Sequence, residues 1–190
     1  MSFLDNRAGN NGAGLLLGGG AQVTLQHCTV ADDQAGDFAC MYAGDSSSVS
    51  ISNCSFTGNN ASYAGAFAAY GSAAVKLRFS EFIENTASNN GAVTSVGETA
   101  QVSVTNSIFV NGQDEYGGAF YTEASSSLGM SGSSFASNNA TWGGVVLATD
   151  LSRVALDACL LDGNTAVTQG GVLQAQQSTQ VCTHQLQGSS

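Results

Sequence analysis

Apolar residues fall along this chain in short alternating runs. Val23-Thr24-Leu25, Val49-Ser50-Ile51, Val75-Lys76-Leu77, Val102-Ser103-Val104, Leu128-Gly129-Met130 and Val154-Ala155-Leu156 each put two apolar side chains on one side of an extended segment and a polar or small one on the other. That is the period of a half-buried β-strand, with Thr24, Ser50, Lys76, Ser103, Gly129 and Ala155 facing out. No stretch repeats apolar residues at helical spacing over two or three turns, so the pattern predicts little helix.

These strands belong to a longer repeat. An inward anchor falls at Phe3, Val30, Phe56, Phe82, Phe109, Phe135 and Leu161, at successive spacings of 27, 26, 26, 27, 26 and 26. Three residues after it stands Asn6, Asp33, Asn59, Asn85, Asn138 or Asn164, with Gly112 as the exception. Two further on comes Ala8, Ala35, Ala61, Ala87, Ala140 or Ala166, with Asp114 in the aberrant fifth copy. A Gly-rich step follows, as in Gly117-Gly118-Ala119 and Gly143-Gly144-Val145, then a short apolar strand holding Phe67, Val93, Phe120, Val146 or Leu173. The Val-x-Leu strand closes the unit.

A single unit of this kind cannot fold alone. About five buried apolar side chains gain roughly 10 kcal/mol, whereas ordering 26 backbones costs about 1–2 kcal/mol each. Stacking offsets the deficit, because every strand then pairs with the units above and below. The sequence therefore predicts an all-β, single-stranded right-handed parallel β-helix of about seven coils of 26–27 residues, three short strands per coil. At ~4.8 Å per coil the rod would be about 34 Å long. The expected domain is 1–190, as a segment of a longer protein or an end-stacked subunit, since uncapped coils expose strand edges. Asn59, Asn85, Asn138 and Asn164 are expected to stack as an amide ladder, at a corner whose left-handed geometry Asn tolerates.

Composition narrows the partners. The chain of 190 residues has no Pro, which suits stacked strands, and a net charge of −10 with four Lys and Arg in all. Phosphate-binding surfaces need clustered cations, so no nucleic acid is expected. The same deficit disfavours an anionic membrane surface, and no apolar run approaches a membrane span, so no direct membrane insertion is expected. The five cysteines contain no CxxC pair, and a zinc site is unsupported. Cys28, Cys54 and Cys159 share a column filled elsewhere by Ser80, Ser107 and Ser133, which reads as a small buried position. Cys28 and Cys54, on successive coils at ~4.8 Å, are within disulfide range, but in-register parallel neighbours aim poorly at each other, and free core thiols are favoured over a disulfide.

Phe56/Asn59, Phe82/Asn85 and Phe135/Asn138, with Gly117-Gly118-Ala119-Phe120, resemble the Phe-x-x-Asn and Gly-Gly-Ala-apolar repeat of chlamydial polymorphic outer-membrane proteins, within the pectin-lyase-like β-helix superfamily. The resemblance covers nearly the whole chain. It implies a rod-like surface or adhesive passenger at an extracellular or cell-surface location. A signal peptide and a C-terminal barrel of alternating strands are not visible in these residues.

Catalytic chemistry is not evident. Glycoside hydrolysis needs paired carboxylates, but Asp32, Asp33, Asp37, Asp45, Glu81, Glu84, Glu98, Asp114, Glu115, Glu123, Asp150, Asp157 and Asp162 do not read as one outward column on adjacent coils. Arg153 with Asp150 and Asp157 is the nearest mixed cluster and reads as a solvated surface. His27 and His184 lie about six coils apart. The Asp32-Asp33…Asp37 corner lacks the dense alternating oxygens of a calcium loop. No catalytic residue, metal or cofactor is expected.

One surface feature stands out. Tyr63, Tyr116 and Trp142 share the column before the Gly step, and Tyr121 and Leu147 the outward column after it. Tyr116, Tyr121, Trp142 and Leu147 are thereby expected to form one exposed cluster, of the kind that binds protein or sugar. The expected function is a non-catalytic structural or adhesive β-helix of a surface or extracellular assembly, meeting other protein subunits through its open coil ends, or glycans. The alternative is the carbohydrate-binding rod of a polysaccharide lyase- or hydrolase-like enzyme lacking a visible active site.

Overall fold

The computed structural model describes residues 1–184, together with the backbone of residues 187–188. The chain winds through seven coils, 2–26, 29–52, 55–78, 81–105, 108–131, 134–157 and 160–184, and residues 187–188 begin an eighth. Every strand pairs in parallel with its counterparts one coil before and after, so four sheets run the length of the rod, one of eight strands and three of seven. We number them in the order the chain meets them. In coil 3 they contribute Ser55–Thr57, Asn60–Tyr63, Phe67–Ala69 and Ala74–Arg78.

Four strands per coil corrects the expected three. The additional strand is the segment after the Asn column, which the sequence presents as a corner. Its single inward residue is the small Ala61 or Ala140, so it carries no apolar alternation. Its pairing also slips, with a register shift between Ala61 and Tyr63 and again between Ala140 and Trp142. The coil is narrow here. A Cβ on Gly118 would lie 2.2 Å from the Gly144 carbonyl oxygen and 2.9 Å from the Asn139 nitrogen, so backbone packs on backbone there and this coil requires glycine at that position.

The core is a set of axial columns. Phe56, Phe82, Phe109 and Phe135 stack with centroids 4.8, 4.8 and 4.9 Å apart and nearly parallel planes. Phe67 and Phe120 tilt against that stack from sheet 3, and the Val-x-Leu strands of sheet 4 close it. Each aromatic pair adds about 0.5–1.5 kcal/mol beyond its burial.

The amides run inside the rod. The backbone nitrogen and Nδ2 of Asn59 donate to Asn85 Oδ1 at 3.1 and 2.9 Å, and the same Nδ2 reaches back to the Val30 carbonyl at 3.1 Å. Asn138 bonds Asn164 in the same way. The left-handed corner is one residue earlier, at Asp5, Asp32, Gly58, Glu84, Asn111, Ser137 and Gly163. The ladder amides therefore do not supply the turn, as first expected; they saturate the backbone beside it. Gly112 interrupts the ladder because a Cβ there would sit 2.1 Å from the Gly118 carbonyl oxygen.

The Ser and Cys column forms a parallel ladder. Cys28 N donates to Cys54 Sγ, Cys54 N to Ser80 Oγ, Ser80 N to Ser107 Oγ and Ser107 N to Ser133 Oγ, at 3.2–3.3 Å. All five cysteines are free.

Candidate functional site

The outer face of sheet 3 is where side chains of unusual kind collect. Three columns define it. The central one, which points outward from sheet 3, is Leu16, Tyr42, Ala68, Ser95, Tyr121, Leu147 and Gln174. On one side, before the Gly step, stand Phe38, Tyr63, Asn90, Tyr116, Trp142 and Gln169. On the other, at the end of each sheet 3 strand, stand Gly44, Tyr70, Gly97, Glu123, Thr149 and Gln176. Side chains of the flanking columns stand beside the central one and cover parts of it, so the face forms a trough along the rod axis. Ala68 and Ser95 are fully buried although they point out of the β-helix.

In coils 2 and 3 the trough is filled. Phe38 meets Tyr63 and Tyr70 at 5.1 Å and Tyr42 at 5.7 Å. Phe38, Tyr42 and Tyr70 cover Ala39, Ala64 and Ala68 as a small core outside the main one. Gly44 and Gly97 make room for them, since a Cβ at either would lie within 2.7 Å of the Tyr42 or Tyr70 ring.

In coils 5 and 6 the trough is open. A cleft of about 330 Å³ is lined by Asn90, Tyr116, Tyr121, Trp142, Leu147, Thr149 and Gln176. The four residues singled out in the sequence thus converge on one cavity. Leu147, expected on the surface, is only 3% exposed and forms the floor. Among the described residues, no ring contact joins Tyr116, Tyr121 or Trp142 to another aromatic side chain. Their faces are left for something else to stack on.

Carboxylates edge the same trough. Tyr121 Oη donates to Glu123 Oε2 at 3.1 Å. Burial raises the Glu123 carboxyl above its usual range, and the charges of Asp150 and Glu98 push it the same way. Burial, with the charges of Glu123 and Asp150, lifts the Tyr121 phenol to about 12. Asp45, Glu98 and Asp150 share one corner on alternate coils, and Glu123 sits in the neighbouring column on the coil between. The sequence reading had these acids scattered; they gather because two adjacent columns meet at this corner. Asp45 and Asp150 also serve the backbone, accepting from Gly19 N at 2.8 Å and Ala124 N at 3.5 Å.

The remaining sequence candidates do not converge. Asp33 is fully buried in the amide ladder while Asp32 is exposed at the corner beside it, so the two point to opposite sides of the wall. Among the described residues no group of three or more His, Cys, Asp or Glu is arranged to hold a metal ion. Arg153 Nε donates to Gln180 Oε1 at 3.0 Å on sheet 4, away from the cleft. His27 lines a second, shallower depression with Asn53, Phe79 and Glu81. Phe79 was not singled out from sequence, yet it is 56% exposed in a left-handed backbone conformation, where its column otherwise carries His27, Asn53, Asn106, Gly132 and Ala158.

Stacked parallel coils with an inward Phe and Asn register define the class: a parallel β-helix bearing an aromatic trough. The family model described as "Right handed beta helix region" matches residues 2–181, and the chain belongs to that family. No curated protein and no solved structure shows significant similarity to it. The fold is in keeping with a structural or carbohydrate-related role.

Proposed function

We propose that this chain is a non-catalytic, adhesive β-helix that binds a glycan through the coil 5–6 cleft. The observation that carries the reading is the 330 Å³ opening between Tyr116, Tyr121 and Trp142. Flat apolar rings with no ring partner present what the apolar face of a pyranose needs, and Asn90, Thr149 and Gln176 offer amide and hydroxyl groups to its rim. The Phe-x-x-Asn and Gly-Gly-Ala repeats, similar to those of polymorphic outer-membrane proteins, support an extracellular or cell-surface setting. In such an assembly further subunits would stack on the coil ends.

The chain has a single tryptophan, Trp142, so its fluorescence reports directly on the cleft. Glycan-array binding followed by fluorescence titration is expected to find a ligand that shifts Trp142 emission, and Tyr121→Ala is expected to lose that shift. Retention of the same ligand by Trp142→Ala and Tyr121→Ala together would remove the cleft from the reading. The gathering of Glu98, Glu123 and Asp150 favours a second reading, a hydrolase- or lyase-like rod. A polysaccharide-cleavage screen separates the two, since any turnover lost in Glu123→Gln sinks the non-catalytic proposal.

A further inference from the structure

We propose that the coil 5–6 cleft is a seat for a phenolic ring, that of a tyrosyl side chain or of a small para-substituted phenol. This goes beyond the glycan reading and does not depend on it. The chain itself supplies the template. Three coils earlier the same trough holds such a ring, that of Tyr70. It meets Phe38 edge-on at 5.1 Å and lies parallel to Tyr42 at 6.2 Å. It packs on the small core of Ala39, Ala64 and Ala68, and its hydroxyl is 2.7 Å from Ser95 Oγ.

The strand register carries each of these neighbours three coils along. Tyr42 corresponds to Tyr121, Ala68 to Leu147 and Ser95 to Gln174. Phe38 corresponds to Tyr116 and Tyr63 to Trp142. The walls are again aromatic and the floor again apolar, but the position of Tyr70 is taken by Thr149. The 330 Å³ cleft is the space a ring would fill. The acceptor is kept as well. Gln174 is 8% exposed, and its Nε2 donates to Gln169 Oε1 at 3.0 Å. Among the described residues its Oε1 is buried with no partner. Gln174 stands where Ser95 meets the Tyr70 hydroxyl, so a phenol in the cleft has an acceptor waiting for its O–H. A buried acceptor left unpaired is costly, and a hydroxyl that reaches it turns that cost into affinity. A hydrocarbon ring would stack on the same walls and leave Gln174 unpaired. The one departure is Gln176, at the place where Gly97 lets the Tyr70 ring pass; its side chain lines the cleft and narrows it.

NMR of the full chain, read at the Trp142 indole N–H, tests the seat with p-cresol, toluene and N-acetyltyrosinamide as probes. p-Cresol is expected to bind with a Kd of about 1 mM, and about fivefold tighter than toluene, which lacks the hydroxyl. Gln174→Leu is expected to bring these two probes to equal affinity, and Gln176→Gly to tighten both. Thr149→Tyr, which supplies the ring from the chain, is expected to abolish both responses. p-Cresol is also expected to raise the urea midpoint of Tyr70→Ala more than that of the parent, because that variant has two seats to fill. A matching shift by N-acetyltyrosinamide assigns the seat to a tyrosyl side chain of a partner, and a shift by p-cresol alone assigns it to a small phenol. No p-cresol shift in the parent, or toluene binding as tightly as p-cresol, overturns the phenol seat. A glycan that still moves Trp142 emission in that event leaves the glycan reading standing, and the absence of both responses overturns both.

Discussion

Coils 2–3 and coils 5–6 share the same three columns on the same face of sheet 3, and they end in opposite states. In the first pair, Phe38, Tyr42, Tyr63 and Tyr70 pack on one another and seal the trough. In the second, Tyr116, Tyr121 and Trp142 stand apart around a cavity. The difference comes down to one column. Tyr70 fills the trough in coil 3, while its counterparts in coils 5, 6 and 7 are Glu123, Thr149 and Gln176. A repeat that stacks identical positions makes such a site by leaving out one ring, without changing the backbone that carries it.

The step residue beside the trough differs too, and this gives the largest expected effect. In coils 2 and 3 the left-handed position is Ala39 and Ala64, whose side chains are buried under the aromatic cluster. In coils 5 and 6 it is Gly117 and Gly143. An added Cβ at Gly117 would lie 2.0 Å from the Phe120 carbonyl oxygen. Gly117→Ala is expected to cost roughly 2–5 kcal/mol from left-handed strain and displaced backbone. Ala64→Gly is expected to stay within about 1 kcal/mol of the parent, because relief of strain is offset by lost burial. Urea unfolding of both variants checks the contrast, and similar losses at the two sites would show that the two steps are not built differently.

Next in size is Asp114, which replaces the Ala of sheet 2 just below Tyr116. Its Oδ2 is buried without a partner, and burial, with the charge of Glu115 adding, raises its carboxyl from 3.8 to about 7. The folded chain therefore keeps a proton that the unfolded chain releases, so stability falls as pH rises from about 4 to 7 and stays low above that window. Asp114→Ala is expected to remove this slope and to be more stable than the parent above pH 7, by on the order of 3 kcal/mol. Denaturation midpoints at both ends of the window test it, and a parent that gains stability across it refutes the assignment.

The trough itself gives the third test. Tyr70 is partly buried, and Tyr70→Ala is expected to cost about 2 kcal/mol and to open a cavity in coil 3 matching that in coil 6. Thr149→Tyr is expected to do the reverse, quenching access to Trp142 with little effect on stability. Acrylamide quenching of Trp142 reads the second variant, and unchanged quenching would mean that the Tyr70 column does not govern the opening.

What the sequence conveyed well is what every coil repeats. The Phe column, the Asn column and the Val-x-Leu strand recur with the same kind of inward side chain in most coils, so their register is legible in the sequence. Sheet 2 was not, because its inward residue is a lone Ala and its pairing slips at Tyr63 and Trp142. Alternation placed Leu147 on the outside of sheet 3, which is correct for the strand. It could not show that this outside is the floor of a trough, since the walls come from columns several residues away. The acid edge was missed for the same reason: Glu98 and Asp150 occupy one column and Glu123 the next, and only the corner geometry brings them together.

The smallest expected effect separates the ladder beneath the closed coils from that beneath the open ones. In coil 6, Asn138 is complete: its Nδ2 donates to Asn164 Oδ1 at 2.9 Å and to the Phe109 carbonyl at 3.1 Å. In coil 2 the position is Asp33. Its Oδ1 accepts from Asn6 N at 2.7 Å and Asn6 Nδ2 at 2.8 Å, and its backbone nitrogen donates to Asn59 Oδ1 at 3.1 Å. Its Oδ2 is buried without a partner. By the ladder's register that oxygen stands where an amide nitrogen would donate to Asn59 Oδ1 and to the Phe3 carbonyl. Asp33→Asn supplies the missing donor and is expected to stabilise the chain by about 1–2 kcal/mol, while Asn138→Asp, which creates the same fault in a complete segment, is expected to destabilise it by at least as much. Matched urea curves for the pair decide the matter. A stability loss in Asp33→Asn would mean that the carboxylate at this rung is held by a donor the ladder geometry does not provide.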